Sequence, residues 1–272
     1  MTTTPHLTTI HHDLTMRMLE VTALDRPTPR LIRVSLEGDA LDGFRSDGPA
    51  DHVKVFFPAA GRRRAEVPEL GPQGIVRDPT RATSFIARDY TPRHHRLSEG
   101  VLELDIVRHP HGLASRWAWE QARVGDVVGV AGPRGSHVLS VDIESLVLCG
   151  DETALPAIDN WLHGARPTMS ISVFVEVANL DEQRELWSEG DVAVTWVSRD
   201  RDSADGVPAL VDALAAADLS TVDTFFWAAG GFDSVQRVRR HLRDERGVAE
   251  EWIETRAYWK AGTADHQEPH SD

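Results

Sequence analysis

A run of cationic, aromatic and hydroxyl side chains, Arg88-Asp89-Tyr90-Thr91-Pro92-Arg93, carries residue types suited to binding a cofactor. It ends an extended stretch at residues 83–90, and side chains alternate across a strand, so Arg88 and Tyr90 should share one face. A guanidinium binds phosphate, a phenol ring lies flat on a fused aromatic heterocycle, and Thr91 offers a hydroxyl at the ring edge. This set suits a flavin. The alternative is an ordinary strand end with a half-buried tyrosine.

A second candidate is the run His-Pro-His-Gly-Leu-Ala-Ser-Arg-Trp at residues 109–117, between a predicted strand and a predicted helix. The first amides of a helix and the positive end of its dipole can hold an anion. Gly112 would allow a ligand to approach the backbone closely. By itself, such a turn is only weak evidence for a phosphate site.

A third candidate is the run Leu-Cys-Gly-Asp-Glu-Thr-Ala-Leu-Pro-Ala at residues 148–157, which joins a strand to a helix. Ligands of open α/β sheets bind beyond the carboxyl ends of the strands, so this turn is a candidate nucleotide site. It lacks the Gly-x-Gly-x-x-Gly pattern, and capping of the helix by Asp151 or Thr153 explains the same residues. Cys149 is predicted to be a buried thiol, because no basic neighbour is present to lower its pKa.

Three residues after the predicted strand 192–197 would bear on cofactor specificity if this domain binds a nicotinamide nucleotide. Ser198, Arg199 and Arg201 stand where the 2′-phosphate of NADPH would be recognised. This placement favours NADPH over NADH. Two aspartates interleave with the arginines and could neutralise them, so a solvated charged loop is the alternative.

Composition limits the classes of function. The chain has 272 residues, 41% of them hydrophobic, which is enough for two domains with a core each. The formal net charge of -14 argues against nucleic acid or an anionic membrane as a partner, although a local basic pocket remains possible. A single cysteine excludes an intrachain disulfide framework, and neither a membrane-length apolar run nor a signal-peptide core is apparent. We therefore expect a cytoplasmic protein.

The secondary-structure elements that must position these residues are predicted in two different patterns, one in each half of the chain. Over residues 14–139, short β-branched or aromatic runs separated by Gly, Pro and Asp predict an antiparallel Greek-key barrel. Its strands are predicted at 16–23, 30–36, 52–57, 83–90, 101–108 and 127–131, with a helix at 114–121 and a surface loop at 59–79.

Over residues 140–262, strands alternate with helices, which is typical of a parallel α/β sheet. The predicted strands are 145–149, 170–177, 192–198, 223–229 and 252–258, and the predicted helices are 154–163, 180–188, 207–217 and 233–245. Residues 1–13 and 263–272 are polar and are predicted to be flexible tails. The scattered histidines show no metal-ligand spacing, so no metal site is predicted.

The sequence resembles the siderophore-interacting proteins, which are FAD-dependent ferric-siderophore reductases of the ferredoxin reductase-like superfamily. The resemblance rests on Arg-x-Tyr-Thr-x-Arg at 88–93, on the turn at 109–117 and on Gly-Asp-Glu-Thr-Ala-Leu-Pro-Ala at 150–157, and it covers about residues 14–262. It implies an FAD-binding β-barrel domain over 14–139. A nicotinamide-binding α/β domain with a basic C-terminal segment would follow over 140–262.

The resemblance and the residue chemistry together assign roles to individual residues. The substrate-binding candidates are cations, Lys54, Arg134 and Lys260, and Gly112, Ala114 and Ser115 would touch the flavin pyrophosphate. The cofactor-binding candidates are Arg88, Asp89, Tyr90, Thr91, His109, Gly112, Ala114, Ser115, Trp117, Asp151, Thr153, Ala154, Ser198 and Arg199. No catalytic side chain is expected, because the flavin carries the chemistry.

The resemblance implies a reaction as well. FAD would take a hydride from NADPH or NADH and pass single electrons to Fe(III) in a siderophore, and Fe(II), held less well by hard oxygen ligands, would be released for iron assimilation. We expect a monomer with no stable membrane association. The alternatives are another reductase of the superfamily, acting on ferredoxin, free flavin or quinone, and a non-enzymatic siderophore-binding flavoprotein.

Overall fold

The computed structural model describes residues 4–71, 74–76, 85–94, 96–109, 112–140, 143–199 and 209–263. The chain divides into two compact units, one over Thr9–Val138 and the other from Leu139 onward together with the few residues before Thr9. The domain bounds 14–139 and 140–262 stay predictions.

The first unit is an antiparallel β structure. Its strands and those at its ends are β1 (Leu7–His11), β2 (Met16–Thr28), β3 (Leu31–Glu37), β4 (Val53–Phe57), β5 (Leu70–Gly71), β6 (Gly74–Ile75), β7 (Ile86–Tyr90), β8 (Leu102–Val107), β9 (Val127–Ala131) and β10 (Gly135–Leu139). Six of them form one sheet in the order β7-β4-β9-β2-β3-β8, whereas β1 pairs with β10 and β5 pairs with β6. Strand β5 and strand β6 lie in the stretch predicted to be a surface loop.

The two edge strands of the six-stranded sheet meet just beyond β7. The amide of Arg93 donates to the carbonyl of Glu103 in β8 at 3.0 Å, in an isolated antiparallel bridge. The Arg93 guanidinium lies 3.3 Å from the Glu103 carboxylate and 3.4 Å from that of Asp105, which also binds Arg33 at 2.7 Å. The sheet therefore curls towards closure, in agreement with the predicted barrel, and the last residue of the 88–93 run fastens it.

The core of this unit follows from the alternation of side chains along its strands. On β4, Val53, Val55 and Phe57 are at most 3% exposed, and they pack in one cluster with the buried residues of β2, β3, β8 and β9. The single predicted helix is present as α1 (Leu113–Arg116), which continues as a π-helical turn over Trp117–Gln121.

The second unit is a parallel α/β structure. Its strands are β11 (Ser145–Asp151), β12 (Ser170–Val177), β13 (Asp191–Ser198), β14 (Thr224–Gly231) and β15 (Ile253–Trp259), and its helices are α2 (Leu155–His163), α3 (Ala209–Ala216) and α4 (Phe232–Arg240). The strand order is β13-β12-β11-β14-β15, and every pairing is parallel, as predicted. A π-helical turn, His241–Glu245, extends α4.

Two elements differ from the prediction. The predicted helix at 180–188 is wrong, because only a single 3₁₀ turn, Leu180–Glu182, forms there. Arg184 binds Asp159 of α2 at 2.7 Å, so an ion pair attaches this segment to α2. Strand β1 lies within the stretch predicted to be a flexible tail. Other 3₁₀ turns occupy Asp39–Leu41, Leu97–Glu99 and Glu250–Trp252.

Within the described ranges, no helix is both long enough and apolar enough to cross a bilayer. Over the same residues, no three His, Cys, Asp or Glu side chains are grouped so that they could hold a metal ion.

Candidate cofactor and substrate site

Arg88 and Tyr90 lie on one face of β7. They stand opposite Val55 and Val53 of β4, and residues directly opposite in an antiparallel pair share a face. The Tyr90 ring is partly buried and meets Phe57 edge-on at 5.9 Å, and this burial raises the pKa of its phenol. The Arg88 guanidinium donates to the carbonyl of Ala87 at 2.6 Å.

Asp89, although predicted beside them, faces the other way. It stands opposite Lys54, and Lys54 Nζ lies 2.8 Å from Asp89 Oδ1. The side chains of this pair are 27% and 30% exposed. One predicted substrate cation is therefore paired on the face of β7 that is opposite Arg88 and Tyr90. Thr91, just past the strand, is buried.

The turn before α1 is shaped by a glycine under a histidine ring. A β-carbon placed on Gly112 would lie 2.1 Å from Cε1 of His109, so a larger residue here would require the exposed His109 ring to move. The amide of His109 donates to the hydroxyl of Ser115 at 3.0 Å, and Ala114 and Ser115 are both buried. The Ser115 hydroxyl, predicted to touch the pyrophosphate, thus also orders the turn. Trp117 is a core residue, 4.9 Å from the Phe57 ring.

A cavity of about 250 Å³ continues along the same face of β7, and Pro58, Ile86, Leu113, Arg116 and Trp117 are among its lining residues. Ile86 precedes Arg88 by two residues, and Arg88 precedes Tyr90 by two, so the cavity, a cation and an aromatic ring follow one another at steps of about 7 Å. FAD also has three parts in line: adenosine, pyrophosphate and ring system. The side chains therefore fit FAD, and the individual contacts stay predictions.

The other predicted substrate cation of this unit, Arg134, is exposed in the turn between β9 and β10. A β-carbon on Gly74 would lie 2.8 Å from Nη2 of Arg134, so the guanidinium lies against Gly74 of β6. Lys54 stands opposite Ala131 of β9, three residues before Arg134. The two cations therefore belong to adjoining segments of the sheet.

A buried carboxylate that the sequence did not single out joins those segments. Asp51 Oδ2 accepts hydrogen bonds from the Ser46 hydroxyl at 3.0 Å, the Gly48 amide at 3.1 Å and the Ser136 hydroxyl at 2.5 Å. Burial raises the pKa of the Asp51 carboxyl, and these hydrogen bonds offset part of the rise. Asp51 precedes Lys54 by three residues and Ser136 follows Arg134 by two, so this bond fixes both cation-bearing segments. The sequence does not indicate that Asp51 and Ser136, 85 residues apart, are hydrogen-bonding partners.

In the second unit, Asp151 fastens three strand ends together. One carboxylate oxygen accepts from the amide and hydroxyl of Thr153, and the other from the Gly231 amide at 2.9 Å and the Trp259 indole at 2.8 Å. Burial raises the pKa of this carboxyl. The N-cap residue of α2 is Ala154, which makes no side-chain hydrogen bond to the helix. Neither Asp151 nor Thr153 is therefore the N-cap residue. Trp259 was not recognised as its partner.

Arg199 is held by two carboxylates. Its Nη1 lies 3.2 Å from Oε1 of Glu176, and its Nη2 binds Oε1 of Glu152. Ser198 is buried beside it in the chain, and Arg201 lies outside the described residues. Glu152 is part of the 148–157 run, but only the strand register, which places Asp151 opposite Glu176, reveals the pairing.

The remaining predictions for this unit concern Lys260 and Cys149. Lys260 Nζ lies 4.6 Å from the centre of the Phe232 ring, which is a cation–π distance. Cys149 is a buried thiol, as predicted, and burial raises its pKa to about 12. The first unit thus contains the candidate flavin-binding residues and two candidate substrate cations, Lys54 and Arg134. The second unit contains the candidate nucleotide-binding residues and Lys260.

Comparison with known proteins agrees with this division. The family described as siderophore-interacting FAD-binding domain matches residues 20–137, and the family described as siderophore-interacting protein matches residues 143–262. The NADPH-dependent ferric-chelate reductase of Escherichia coli is 31% identical over 262 residues, covering 93% of this chain and 96% of its own. The ferric vibriobactin reductase ViuB of Vibrio cholerae is 28% identical over 258 residues, covering 93% and 94%.

The crystal structure of a siderophore utilization protein from T. fusca superposes with a TM-score of 0.86 at 34% identity, covering 96% of this chain and 99% of that chain. Matches of this length span both units and are not limited to one nucleotide-binding motif. The chain belongs to the siderophore-interacting protein family.

Proposed function

We propose that the chain is an FAD-dependent reductase that passes electrons from NADPH or NADH to Fe(III) in a ferric siderophore. The observation that carries the proposal is the single face of β7, on which the Ile86 cavity, Arg88 and Tyr90 follow one another in the order of the parts of FAD. The full-length relatives named as ferric reductases support the same activity. They favour it over a non-enzymatic siderophore-binding role.

Bound FAD would supply the conversion between a two-electron donor and a one-electron acceptor. The balance is one nicotinamide and two Fe(III) giving the oxidised nicotinamide, one proton and two Fe(II). Iron in the lower state is a softer ion and is held less tightly by the oxygen ligands of a siderophore. Reduction therefore favours release of the metal.

The residues of the chain would bind and orient the reactants. We assign Arg88 to the pyrophosphate, Tyr90 to the flavin ring and Thr91 to the ring edge. The turn at Gly112, under His109, would complete the phosphate site with Ala114 and Ser115. Asp151, Thr153 and Ala154 would border the nicotinamide nucleotide at the carboxyl end of β11, where open α/β sheets bind ligands.

We assign Lys54 and Arg134 to the ferric siderophore, with Lys260 as a third cation in the second unit. The physical reason is charge. Many ferric siderophores with catecholate ligands are anionic, and the net charge of -14 would repel them unless cations act at close range. We also propose a monomer without nucleic-acid or membrane partners. A cytoplasmic location suits the reaction, because reduced nicotinamide must be supplied.

The test uses the purified chain saturated with FAD, a ferric tris-catecholate complex, NADPH or NADH, and a coloured Fe(II) chelator. We expect Fe(II) to form only when protein, FAD and donor are all present, with two Fe(II) per nicotinamide oxidised. An FAD-saturated protein that forms no Fe(II) with either donor above the protein-free rate would contradict the proposal.

A further inference from the structure

Two glutamates hold one arginine at the carboxyl ends of three neighbouring parallel strands. Glu152 follows β11, Glu176 lies near the end of β12, and Arg199 follows β13. The two terminal nitrogens of Arg199 bind different carboxylates, Nη1 that of Glu176 at 3.2 Å and Nη2 that of Glu152. The guanidinium is therefore already engaged by two negative charges.

The cluster is partly shielded from water. The side chains of Glu152 and Glu176 are 9% and 14% exposed, and that of Arg199 is 40% exposed. Oε1 of Glu152 also accepts a hydrogen bond from the amide of Ala178 at 2.6 Å, which fixes the carboxylate independently of the arginine. Burial raises the pKa of Glu176, and the charge of Arg199 offsets part of that rise. Charges in such a site interact more strongly than charges in bulk water.

The position of the cluster is where a nucleotide would be distinguished. The strand order reverses at β11, and the crevice at such a point, beyond the carboxyl ends of the strands, binds nucleotides in open α/β sheets. There a carboxylate can accept a hydrogen bond from the ribose 2′-hydroxyl of NADH, whereas an arginine can receive the 2′-phosphate of NADPH. This cluster offers both groups, but with two carboxylates to one guanidinium.

We propose that Glu152 and Glu176 withhold Arg199 from a 2′-phosphate, so that the chain has no marked preference for NADPH over NADH. The inference deepens the proposed function, on which it rests. A phosphate monoester at neutral pH brings nearly two negative charges to a cluster of two glutamates and one arginine that already carries a net charge of about -1. Like charges brought together in this way disfavour one ligand without improving contacts to the other. The NADPH preference expected from Arg199 by sequence would therefore be cancelled.

The decisive variant is Glu176→Gln. Glu176, on β12, binds Arg199, and the glutamine amide removes the charge while keeping the shape of the side chain. We measure kcat/KM for NADPH and NADH on FAD-loaded protein. The wild type should favour NADPH by no more than about threefold, and Glu176→Gln should raise the NADPH to NADH ratio by about tenfold. Glu176→Asp, which restores the charge, should return the ratio towards the wild-type value.

Asp159→Asn is the matched control, because it removes a carboxylate from another ion pair of the same unit, 2.7 Å from Arg184. It should leave the ratio unchanged. A wild type that favours NADPH by more than threefold, or a ratio in Glu176→Gln within twofold of the wild type, overturns the inference.

Binding of 2′,5′-ADP and 5′-AMP, measured by calorimetry, separates this inference from the proposed function. Glu176→Gln should tighten 2′,5′-ADP relative to 5′-AMP even in protein that shows no reductase activity. An unchanged preference between these two nucleotides contradicts the role of Glu176. Absence of donor oxidation in every variant contradicts the reductase proposal alone.

Discussion

Lys54 Nζ lies 2.8 Å from Asp89 Oδ1, in a cross-strand pair that faces away from Arg88 and Tyr90. The pair links the strand proposed to hold the flavin to a cation proposed to attract the substrate. It also partly neutralises that cation. The proposed substrate surface therefore uses the opposite face of β7 from the proposed flavin surface.

The first prediction concerns these cations. Lys54→Ala and Arg134→Ala should each raise KM for an anionic ferric catecholate by about three- to tenfold, because each removes a positive charge that acts within a Debye length of about 8 Å. The rate at which NADPH or NADH reduces the bound flavin should not change. Arg26→Ala, which removes an exposed charge stacked on Trp119, is the control. If all three variants behave alike across a salt titration, Lys54 and Arg134 are only surface charges.

The second prediction concerns Arg88. Arg88→Ala should weaken FAD binding by about 10- to 100-fold, because a charge-assisted hydrogen bond contributes about 1.5 to 3 kcal/mol. Quenching of flavin fluorescence during a titration measures the dissociation constant. An unchanged dissociation constant would remove Arg88 from the pyrophosphate site.

The third prediction concerns Tyr90. Tyr90→Phe keeps the ring that packs on Phe57 and should bind FAD within about threefold of the wild type, whereas Tyr90→Ala removes the stacking surface and should bind it markedly less tightly. The far-ultraviolet circular dichroism of Tyr90→Ala checks that its barrel is intact. Equal FAD affinity in a folded Tyr90→Ala protein would contradict stacking.

The fourth prediction concerns Gly112, where a β-carbon would lie 2.1 Å from the His109 ring. Gly112→Ala should lower the free energy of unfolding by no more than about 1 kcal/mol, because the exposed His109 ring can move away from the new methyl group. In a His109→Ala background the same substitution should cost less, because the colliding ring is gone. Urea denaturation of the four proteins in this double-mutant cycle gives the coupling, and a cost that is equal in both backgrounds would contradict the contact.

The fifth prediction concerns Asp51, whose carboxyl pKa is raised above its ordinary value by burial. The folded state then binds a proton that the unfolded state has lost, so this group's contribution to stability is full below its ordinary pKa and decreases as the pH rises through the raised value. Asp51→Asn lacks this contribution. The stability of the wild type relative to Asp51→Asn should therefore fall as pH rises from acid to neutral, and thermal melts of both proteins check the slope. A relative stability that rises over this range would show that the hydrogen bonds from Ser46 and Ser136 outweigh burial.

The fold was predictable where strands carry uninterrupted β-branched and aromatic runs. Strands β9 and β12 begin and end as predicted. Asp and Gly flank the apolar run of β9. The run of Ile, Val and Phe in β12 lies between Met169 and Ala178. Residues 180–188 were predicted to be helical from the alternation of strands and helices, but the ion pair between Arg184 and Asp159 belongs to tertiary structure. Strand β1, rich in Thr and His, has too few apolar residues to be recognised without its partner β10.

The candidate site was predictable as segments but not as contacts. The sequence identified the 88–93 and 148–157 runs, since local residue types carry their chemistry. It did not reveal that Lys54 pairs with Asp89 or that Glu152 binds Arg199, because these partners are brought together by strand register and crossover connections. The preference for NADPH expected from Arg199 depended on the surrounding charges, which only the folded chain defines.

The central claim is tested most directly by two anaerobic half-reactions on the FAD-loaded protein, followed by flavin absorbance. Addition of one equivalent of NADH or NADPH should bleach the flavin, and subsequent addition of two equivalents of a ferric siderophore should restore its absorbance while a chelator traps two equivalents of Fe(II). A flavin that is bleached by the donor but is not reoxidised by the ferric complex, under conditions where oxygen reoxidises it, would contradict ferric-siderophore reduction.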